Sequence, residues 1–298
     1  MEQLPSDRVR GSAPRYLACG AYRLPLESRT LVAGVLNVTP DSFYDGGRYS
    51  ETEAAVARAH EMVREGADLI DIGGQSSRPF SKPVTEEEEL ARIGPVLDRL
   101  QGRIDVPVSI DTCRSGVARY AISRGACIVN DITALTHDRE MLPLVAGEGV
   151  AVVLMHMRGA PGIMQVDTRY DDLVGEVKSY LFERASAVSG AGLESARIVI
   201  DPGIGFGKSV EGNLELLRRL SELKELGYPV LVGASRKSFI GLLLGVPEEE
   251  RLEGSLGAAA AAVMNGADVV RVHDVKQTVQ AIRVVDAIRR EESKSCLR

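Results

Sequence analysis

The sequence predicts an α/β fold, a single (β/α)8 TIM barrel preceded by a short hairpin-like extension. Three observations support this prediction. Short apolar runs rich in β-forming residues alternate with segments of helical periodicity, polar or charged residues follow these apolar runs, and glycines lead from several helices directly into the next run. Alternating strands and helices imply a parallel sheet, and eight such units imply that the sheet closes on itself.

The elements divide the chain into three parts. Residues 1–30 form the extension, where a hairpin over residues 16–24 turns at Gly20 and plugs the closed end of the barrel or packs beside it. Residues 31–291 form the barrel, and residues 292–298 are expected to be a disordered tail. The predicted barrel strands are Leu31–Leu36, Leu69–Ile72, Val106–Ile110, Ile128–Val129, Val150–Met155, Ile198–Ile200, Val230–Val232 and Val269–Val272.

Helices are expected between these strands. Residues 53–64, for example, place apolar residues at three- and four-residue steps. Gly66, Gly125 and Gly266 are expected to end helices, because glycine tolerates the left-handed conformation that closes a helix. The acidic run 86–89 follows Thr85 and indicates a capped helix N-terminus, where the helix dipole favours acids.

Composition and charge exclude several classes of protein. A chain of 298 residues with 44% hydrophobic content is long enough for one large core. A net charge of −6 argues against a general nucleic-acid binder, which carries a basic face. The four cysteines have no metal or disulfide spacing, and no secretory signal or apolar run of about 20 residues is present. These features predict a cytoplasmic protein with reduced thiols and no contact with membranes.

Acidic and amide residues follow three of the predicted strands and would point into the barrel mouth, where ligands bind in this fold. They are Asp111, Asn130 and Asp201. Each residue alone could simply cap a helix or start a turn. Together they favour recognition of a planar, donor-rich heterocycle, because a buried carboxylate needs a matching pair of donors to offset its desolvation.

A cationic group follows the last two strands, where barrel enzymes frequently hold phosphate. Lys237 follows the seventh strand, while Arg271 and His273 flank the end of the eighth. Arg271 and His273 are alternate residues that face the same side, so we interpret them as an anion clamp rather than as decoration of a strand end.

Three loops are predicted at the same mouth of the barrel. The segments 39–48 and 73–83 are long for plain connectors and are interpreted as mobile lids or substrate-binding loops. The glycines of residues 203–208 resemble a phosphate cradle only superficially, and we interpret them as letting a loop run close under a flat ligand. His156 lacks metal-ligand spacing and is interpreted as a packing or surface residue.

Taken in order, the motifs of the barrel mouth resemble those of the dihydropteroate synthase family over about residues 31 to 290. They are Gly34-Val-Leu-Asn-Val-Thr-Pro-Asp-Ser-Phe43, Asp71-Ile-Gly-Gly, Ser76-Ser-Arg-Pro79, Ser109-Ile-Asp-Thr112, Asn130-Asp-Ile132, Asp201-Pro-Gly-Ile-Gly-Phe-Gly-Lys208, Ser235-Arg-Lys-Ser238 and Arg271-Val-His-Asp-Val275. That family consists of (β/α)8 barrels that join 6-hydroxymethyl-7,8-dihydropterin diphosphate to p-aminobenzoate, giving 7,8-dihydropteroate and pyrophosphate. The resemblance also implies a homodimer.

The resemblance implies a role for each matching residue. The pterin would be held by Asp111, Asn130, Asp201 and Lys237. The diphosphate would be bound by Arg78, Arg271 and His273, and Asn37 would ligate the Mg²⁺ ion on it. The residues near the aminobenzoate would be Ser77, Arg78, Pro79, Phe206 and Ser235. Lys237, Arg271, His273 and Asp111 would serve catalysis. No side-chain nucleophile is needed, because the leaving diphosphate allows direct attack by the arylamine.

The second loop departs from the family pattern at Gln75, Ser77 and Phe80, where an acid, a threonine and a glycine are usual. We hypothesise that Phe80 alters discrimination between p-aminobenzoate and sulfonamides. Two alternatives remain open at this point: a pterin-binding barrel of the methyltransferase kind, which has no reason to keep a diphosphate clamp, and a non-catalytic pterin-binding paralogue, which the loop departures favour.

Overall fold

The fold was analysed in a computed structural model of the chain, which describes residues 15–39, 47–75, 84–159, 164 and 167–289, with only the backbone of residues 47–50. Several predictions fall outside these residues and are not tested by the structure. They concern Ser77, Arg78, Pro79, Phe80, most of the two long loops, and the tail 292–298.

Eight parallel strands follow an antiparallel hairpin, as predicted. The hairpin strands are β1 (Tyr16–Cys19) and β2 (Tyr22–Pro25), and the barrel strands are β3 (Leu31–Asn37), β4 (Leu69–Gly73), β5 (Val108–Asp111), β6 (Ile128–Asp131), β7 (Ala151–Met155), β8 (Ile198–Asp201), β9 (Leu231–Val232) and β10 (Val269–Val272). Their order in the sheet is β8-β7-β6-β5-β4-β3-β10-β9. A parallel bridge between Ile200 and Val230 joins the two outer strands, so the barrel closes.

Helices connect the strands on the outside of the barrel. In chain order they are α1 (Gly47–Glu65), α2 (Glu86–Leu100), α3 (Ser115–Ser123), α4 (Met141–Glu148), α5 (Leu173–Gly190), α6 (Val210–Arg218), α7 (Ser221–Lys224), α8 (Ser238–Leu244), α9 (Leu252–Met264) and α10 (Val275–Arg289). None of the helices in the described part of the chain is long and apolar enough to cross a membrane.

The polar residues predicted to follow the strands belong to the strands themselves. Asn37, Asp111 and Asp201 are the last residues of β3, β5 and β8, and Asn130 lies within β6. Five of the eight predicted barrel strands ended too early because apolar content was used to place their ends, whereas ladder pairing such as that between Asp111 and Asn130 continues into the polar rim.

The predicted glycine helix ends are confirmed, and an acid follows two of them. Gly66, Gly125 and Gly266 have φ values of +103°, +97° and +111°. Asp68 accepts a hydrogen bond from the backbone N–H of Val32 at 2.8 Å, and Asp268 accepts one from that of Val230 at 2.7 Å. These acids fix the start of the neighbouring strand, so their role at the closed end of the barrel is structural.

The hairpin plugs the closed end of the barrel, which is one of the two placements that the sequence allowed. Its Leu17 and Cys19 are buried in an apolar cluster with residues from the strand starts, among them Leu31, Leu69 and Val269. Gly20 turns the hairpin with a φ of +55°. Burying these side chains removes from water the apolar ends of the strands, which would otherwise be exposed.

The helix cap at Thr85 is confirmed, but the acidic run does more than complement the dipole. The Thr85 side chain accepts a hydrogen bond from the backbone N–H of Glu88, whose carboxylate accepts one from that of Thr85. Glu89 is fully buried and forms an ion pair with Arg114 at 2.6 Å. Its burial depends on a partner from another helix, which the local sequence does not reveal.

Candidate active site

Three polar side chains from alternate strands form the floor of the barrel mouth. Asp71 of β4, Asn130 of β6 and Arg271 of β10 point inward, as expected for a layer of a barrel interior. One oxygen of Asp71, Oδ2, accepts hydrogen bonds from Nδ2 of Asn130 at 3.0 Å and from Nε of Arg271 at 2.5 Å. Asp71 is only 2% exposed, and its role was not predicted from the sequence.

Arg271 also binds Asp111, which connects the floor to the next strand. Its terminal NH2 group donates to Oδ2 of Asp111 at 2.7 Å. Burial raises the pKa of Asp111 to about 7, against the opposing effect of Arg271. Burial also opposes the charge on Arg271, but Asp71 and Asp111 outweigh it and raise the pKa of the guanidinium above its usual value. Asp71 and Asp111 thus keep the guanidinium of Arg271 charged although it is buried.

Asp201, the last residue of β8, is positioned differently, because a backbone group holds one of its oxygens. The backbone N–H of Gly203 donates to its Oδ1 at 2.7 Å, while Oδ2 accepts no hydrogen bond from the described residues. Burial raises the pKa of Asp201 to about 6, partly offset by Gly203 and by Lys237. Such a carboxylate is a strong acceptor for a ligand that brings its own N–H groups.

Lys237 and Phe206 face one another beside Asp201. The ammonium of Lys237 lies 4.0 Å from the centre of the Phe206 ring, within the range of a cation–π interaction. Burial, and then the charge of Arg271, lower the pKa of Lys237 to about 8. A ligand in the mouth therefore meets a partly desolvated cation next to an aromatic ring.

The glycines of the loop after β8 are required by the protein itself. Gly203, Gly205 and Gly207 have positive φ values of +68°, +83° and +67°. A Cβ on Gly203 would lie 2.0 Å from the carbonyl oxygen of His156, and one on Gly205 would lie 3.1 Å from Cδ of Lys237. The close approach that these glycines permit is therefore to neighbouring protein groups, a role that the interpretation based on a flat ligand did not include.

A buried lysine holds this loop from below. Nζ of Lys208 donates to the carbonyl oxygen of Phe206 at 2.8 Å and lies 3.1 Å from Nδ1 of His156. Lys208 is 2% exposed, and burial lowers its pKa to about 7. Burial also lowers the pKa of His156 to about 3, so that imidazole is neutral, and its ring packs edge-on against Tyr180. The predicted packing role of His156 is confirmed, whereas Lys208 was not predicted.

Ser235 and His273 form a pair at the ends of β9 and β10. Oγ of Ser235 accepts from the backbone N–H of His273 at 3.3 Å and lies 3.1 Å from Nδ1 of the imidazole. The Ser235 hydroxyl can donate to Nδ1 or accept from it, depending on which nitrogen of the imidazole carries the proton. Burial, and then Arg271, lower the pKa of His273 to about 3. His273 is therefore a neutral imidazole, and the cations whose charges act on it are Arg271, Arg236 and Lys237.

Arg236, which lies between Ser235 and Lys237 in the loop after β9, has a structural role. Its φ of +57° is unusual for a residue with a side chain. The guanidinium forms a two-pronged ion pair with Asp274, through bonds of 3.0 Å and 2.6 Å. This pair ties the loop after β9 to the loop after β10, and so holds Ser235 near His273.

Asn37 ends β3 at the same mouth and is half-buried. The described residues contain no group of three or more histidine, cysteine or acidic side chains that could hold a metal ion. A magnesium ion does not need such a group, because it commonly keeps several waters and is held by one or two protein oxygens together with substrate phosphates. The amide oxygen of Asn37 suits that kind of site.

The two ends of the second loop are joined by one arginine. Arg114 donates to the side-chain oxygen of Gln75 at 2.7 Å and to the backbone carbonyl of Val84 at 2.5 Å, while also binding Glu89. Gln75 thus serves as a neutral acceptor beside a buried acid. An acid at position 75 would place two carboxylates on one guanidinium.

The chain is similar to known proteins over most of its length. The family model described as "pterin binding enzyme" matches residues 33–273. The chain is 44% identical over 289 residues to dihydropteroate synthase of Synechocystis sp., covering 97% of this chain and 99% of the relative. It is 46% identical over 256 residues to dihydropteroate synthase of Escherichia coli strain K12, covering 86% and 90% of the two chains.

Solved structures are similar to a comparable degree. The Yersinia pestis dihydropteroate synthase with a sulfonamide drug complex matches with a TM-score of 0.87 at 43% identity, covering 92% of this chain and 99% of that one. The Xanthomonas albilineans enzyme with 4-aminobenzoic acid matches with a TM-score of 0.86 at 46% identity, covering 92% and 98%. In complex with 7,8-dihydropteroate, the Xanthomonas enzyme matches with a TM-score of 0.83 at 45% identity, again covering 92% and 98%.

Proposed function

The chain belongs to the dihydropteroate synthase family, and from that premise we propose how its own residues divide the work of the reaction. It is a transferase that condenses 6-hydroxymethyl-7,8-dihydropterin diphosphate with p-aminobenzoate to give 7,8-dihydropteroate and pyrophosphate. Matches along nearly the whole chain favour this activity over the methyltransferase-type and non-catalytic alternatives.

The pterin ring is held by Asp111, Asn130, Asp201 and Lys237. A pterin carries an amino group and ring N–H groups at one edge, so it supplies the donors that buried carboxylate and amide oxygens require. The single observation that supports this assignment most strongly is the geometry of Asp201, whose Oδ1 is already held by Gly203 while Oδ2 is left to the mouth. The ammonium of Lys237 offers a donor to the pterin carbonyl from the other side.

The diphosphate is bound by Arg271 and by Nε2 of His273, with Asn37 as a ligand of the accompanying Mg²⁺. Arg78 would add a second cation to this group, but it lies outside the described residues. When bound, Mg²⁺ supplies positive charge to the leaving diphosphate. Arg271 stays charged because two acids support it, and His273 is neutral, so it would donate to the diphosphate through Nε2 in the tautomer that carries its proton there.

The reaction then needs little more than positioning and charge stabilisation. The C–O bond between the pterin methylene and the diphosphate breaks with its electron pair leaving on oxygen, and positive character develops on the methylene carbon. The arylamine nitrogen forms the new C–N bond and gives up one proton. Arg271 and His273 stabilise the charge that develops on the departing oxygen, while Asp111 and Asp201 hold the electron-rich pterin in place.

The aminobenzoate lies on the side of the mouth lined by Phe206 and Ser235. The Phe206 ring offers an apolar face, and Lys208 fixes the backbone that carries it. Ser235 is hydrogen-bonded to His273, so a substrate at Ser235 would lie next to the diphosphate site. Ser77, Arg78 and Pro79 are assigned to the same substrate by the family resemblance alone.

A homodimer in the cytoplasm is the form in which we expect the enzyme to work. Large apolar side chains are exposed on three helices that pack in sequence, α8, α9 and α10. They are Leu242, Leu243 and Leu244 of α8, Met264 of α9, and Val284 and Ile288 of α10. Exposed apolar groups of this size on adjoining elements favour an interface with a second copy.

The proposed function is tested by pyrophosphate release from the purified protein. We expect release that requires the pterin diphosphate, Mg²⁺ and p-aminobenzoate together, and that falls by about a hundredfold or more in Lys237→Met. The matched control is Lys178→Met, which removes a surface lysine paired with Glu225. Release without the amine, or equal activity of the two variants, would contradict the assignment.

A further inference from the structure

The floor residue Asp71 forms hydrogen bonds, among the described residues, with two other side chains of the site and with no backbone group. Its Oδ2 accepts from Asn130 and Arg271, and no donor among the described residues reaches Oδ1. Asp131, another buried acid at a strand end, instead binds the backbone N–H groups of Thr133 and Leu135. Asp71 is therefore not committed to the local backbone as Asp131 is.

The contact with Asn130 fixes the direction of an amide. An asparagine side chain has a donor end and an acceptor end, which can exchange by rotation about the last bond. Because a carboxylate oxygen only accepts, Asp71 holds the NH2 end of Asn130 toward the floor at 3.0 Å. The carbonyl end is then directed away from the floor, toward the mouth where Asp111 and Asp201 also present oxygens.

Arg271 prevents Asp71 from turning away. Its Nε donates to the same oxygen that Asn130 uses, and its terminal NH2 group donates to Asp111. Asp71 could release Asn130 only by also leaving a charged partner in a buried site, which is strongly unfavourable. The orientation of the amide is thus tied to an ion pair.

We propose that Asp71 is a positioning residue that determines substrate selection, by locking Asn130 with its acceptor toward the pterin. With this lock, the pocket rejects heterocycles that present a carbonyl where the pterin presents its 2-amino group. The inference rests on the proposed pterin pocket. It adds to that pocket a residue that does not touch the ligand but decides which hydrogen-bond pattern the ligand must have.

The test compares two ligands on four proteins by calorimetry: 6-hydroxymethylpterin and its 2-oxo analogue, on the parent, Asn130→Ala, Asp71→Ala and Asp71→Asn. The parent should prefer the pterin strongly. Asp71→Ala frees the amide to rotate, so the preference should fall by about tenfold or more, to the level of Asn130→Ala. Asp71→Asn still offers a side-chain oxygen to Asn130 and Arg271, which both donate to this position, so the preference for the pterin should stay within about threefold of the parent.

The outcomes separate the inference from the pocket on which it rests. If Asn130→Ala lowers the preference but Asp71→Ala does not, the pocket stands and the inference is overturned. A collapse in Asp71→Asn, which is the variant of nearly unchanged shape, would also overturn it, because charge rather than amide direction would then be decisive. If Asn130→Ala keeps the parent preference, both the pocket and the inference fail.

Discussion

Replacement of Asp201 by asparagine should separate stability from binding. Asp201 ends β8 with one oxygen on the backbone N–H of Gly203 at 2.7 Å and the other toward the mouth. An amide can keep the bond to Gly203 through its oxygen, which then turns its NH2 group toward the ligand. The substitution changes no packing, but it replaces an ionised acceptor by a donor at the position proposed to bind the pterin N–H groups.

The magnitude of the binding loss follows from the hydrogen bonds removed. A charge-assisted hydrogen bond contributes about 1.5 to 3 kcal/mol, and a pterin edge can give two of them to one carboxylate. A net loss of about 3 kcal/mol would weaken pterin binding about a hundredfold. Isothermal titration with 6-hydroxymethylpterin measures this directly, with Asp131→Asn as the matched control because Asp131 is also a buried acid at the strand ends.

Stability should change in the opposite direction. Burial raises the pKa of Asp201 from 3.8 to about 6 in the folded protein, so the folded state holds its proton more tightly than the unfolded chain. Between pH 4 and pH 6 the free energy of unfolding therefore falls as pH rises, by at most about 3 kcal/mol for this group. Asp201→Asn removes that penalty, and its melting temperature at pH 8 should equal or exceed that of the parent. Pterin affinity within about threefold of the parent, in a folded variant, would refute the reasoning.

Three further predictions concern the pH profile, the loop support and the helices. Because burial raises the pKa values of Asp201 and Asp111 to about 6 and about 7, kcat/KM should rise with pH through this range. Because burial lowers the pKa of Lys237 to about 8, kcat/KM should fall above pH 8. A flat profile of kcat/KM from pH 5 to pH 9 would contradict this prediction. Lys208→Met leaves the Phe206 carbonyl without its donor at 2.8 Å, so it should lower stability by about 1 to 3 kcal/mol in urea titrations and raise KM for p-aminobenzoate more than for the pterin. Leu243→Glu should shift the protein from dimer to monomer in light scattering without unfolding it, because this residue is 60% exposed; an unchanged mass would place the interface elsewhere.

The fold was predictable because its signals are local and repeated. Each barrel unit carries an apolar run of strand length, a helical segment and, at Gly66, Gly125 and Gly266, a glycine with the positive φ that the connection requires. The predicted ends of the strands were less accurate, since the polar rim residues belong to the ladder. Hydrophobicity predicts where a strand is buried, whereas pairing determines where it ends.

Rim residues of the site were also predictable, while the residues that support them were not. Asp111 and Asp201 follow apolar runs and attract notice as polar groups at a strand end. Asp71 instead lies within the strand Leu69-Ile-Asp-Ile-Gly73, where only its alternation with Leu69 and Gly73 indicates that it faces inward. Lys208 follows a glycine-rich turn, where a lysine is ordinarily solvated, and its burial depends on contacts with His156, which follows the neighbouring strand β7.

The division between these two sets has a physical reason. Asp71 and Lys208 form hydrogen bonds with other protein groups before any ligand enters, so they orient the site but have little capacity left for a substrate. Asp201 and Lys237 keep a polar atom directed to the mouth at the expense of desolvation, which is visible in their displaced pKa values. A ligand that supplies the missing partners relieves this penalty as it binds. Asp201 and Lys237 thus bind substrate with groups that the fold leaves incompletely paired, whereas Asp71 and Lys208 orient the site because the fold has already paired them.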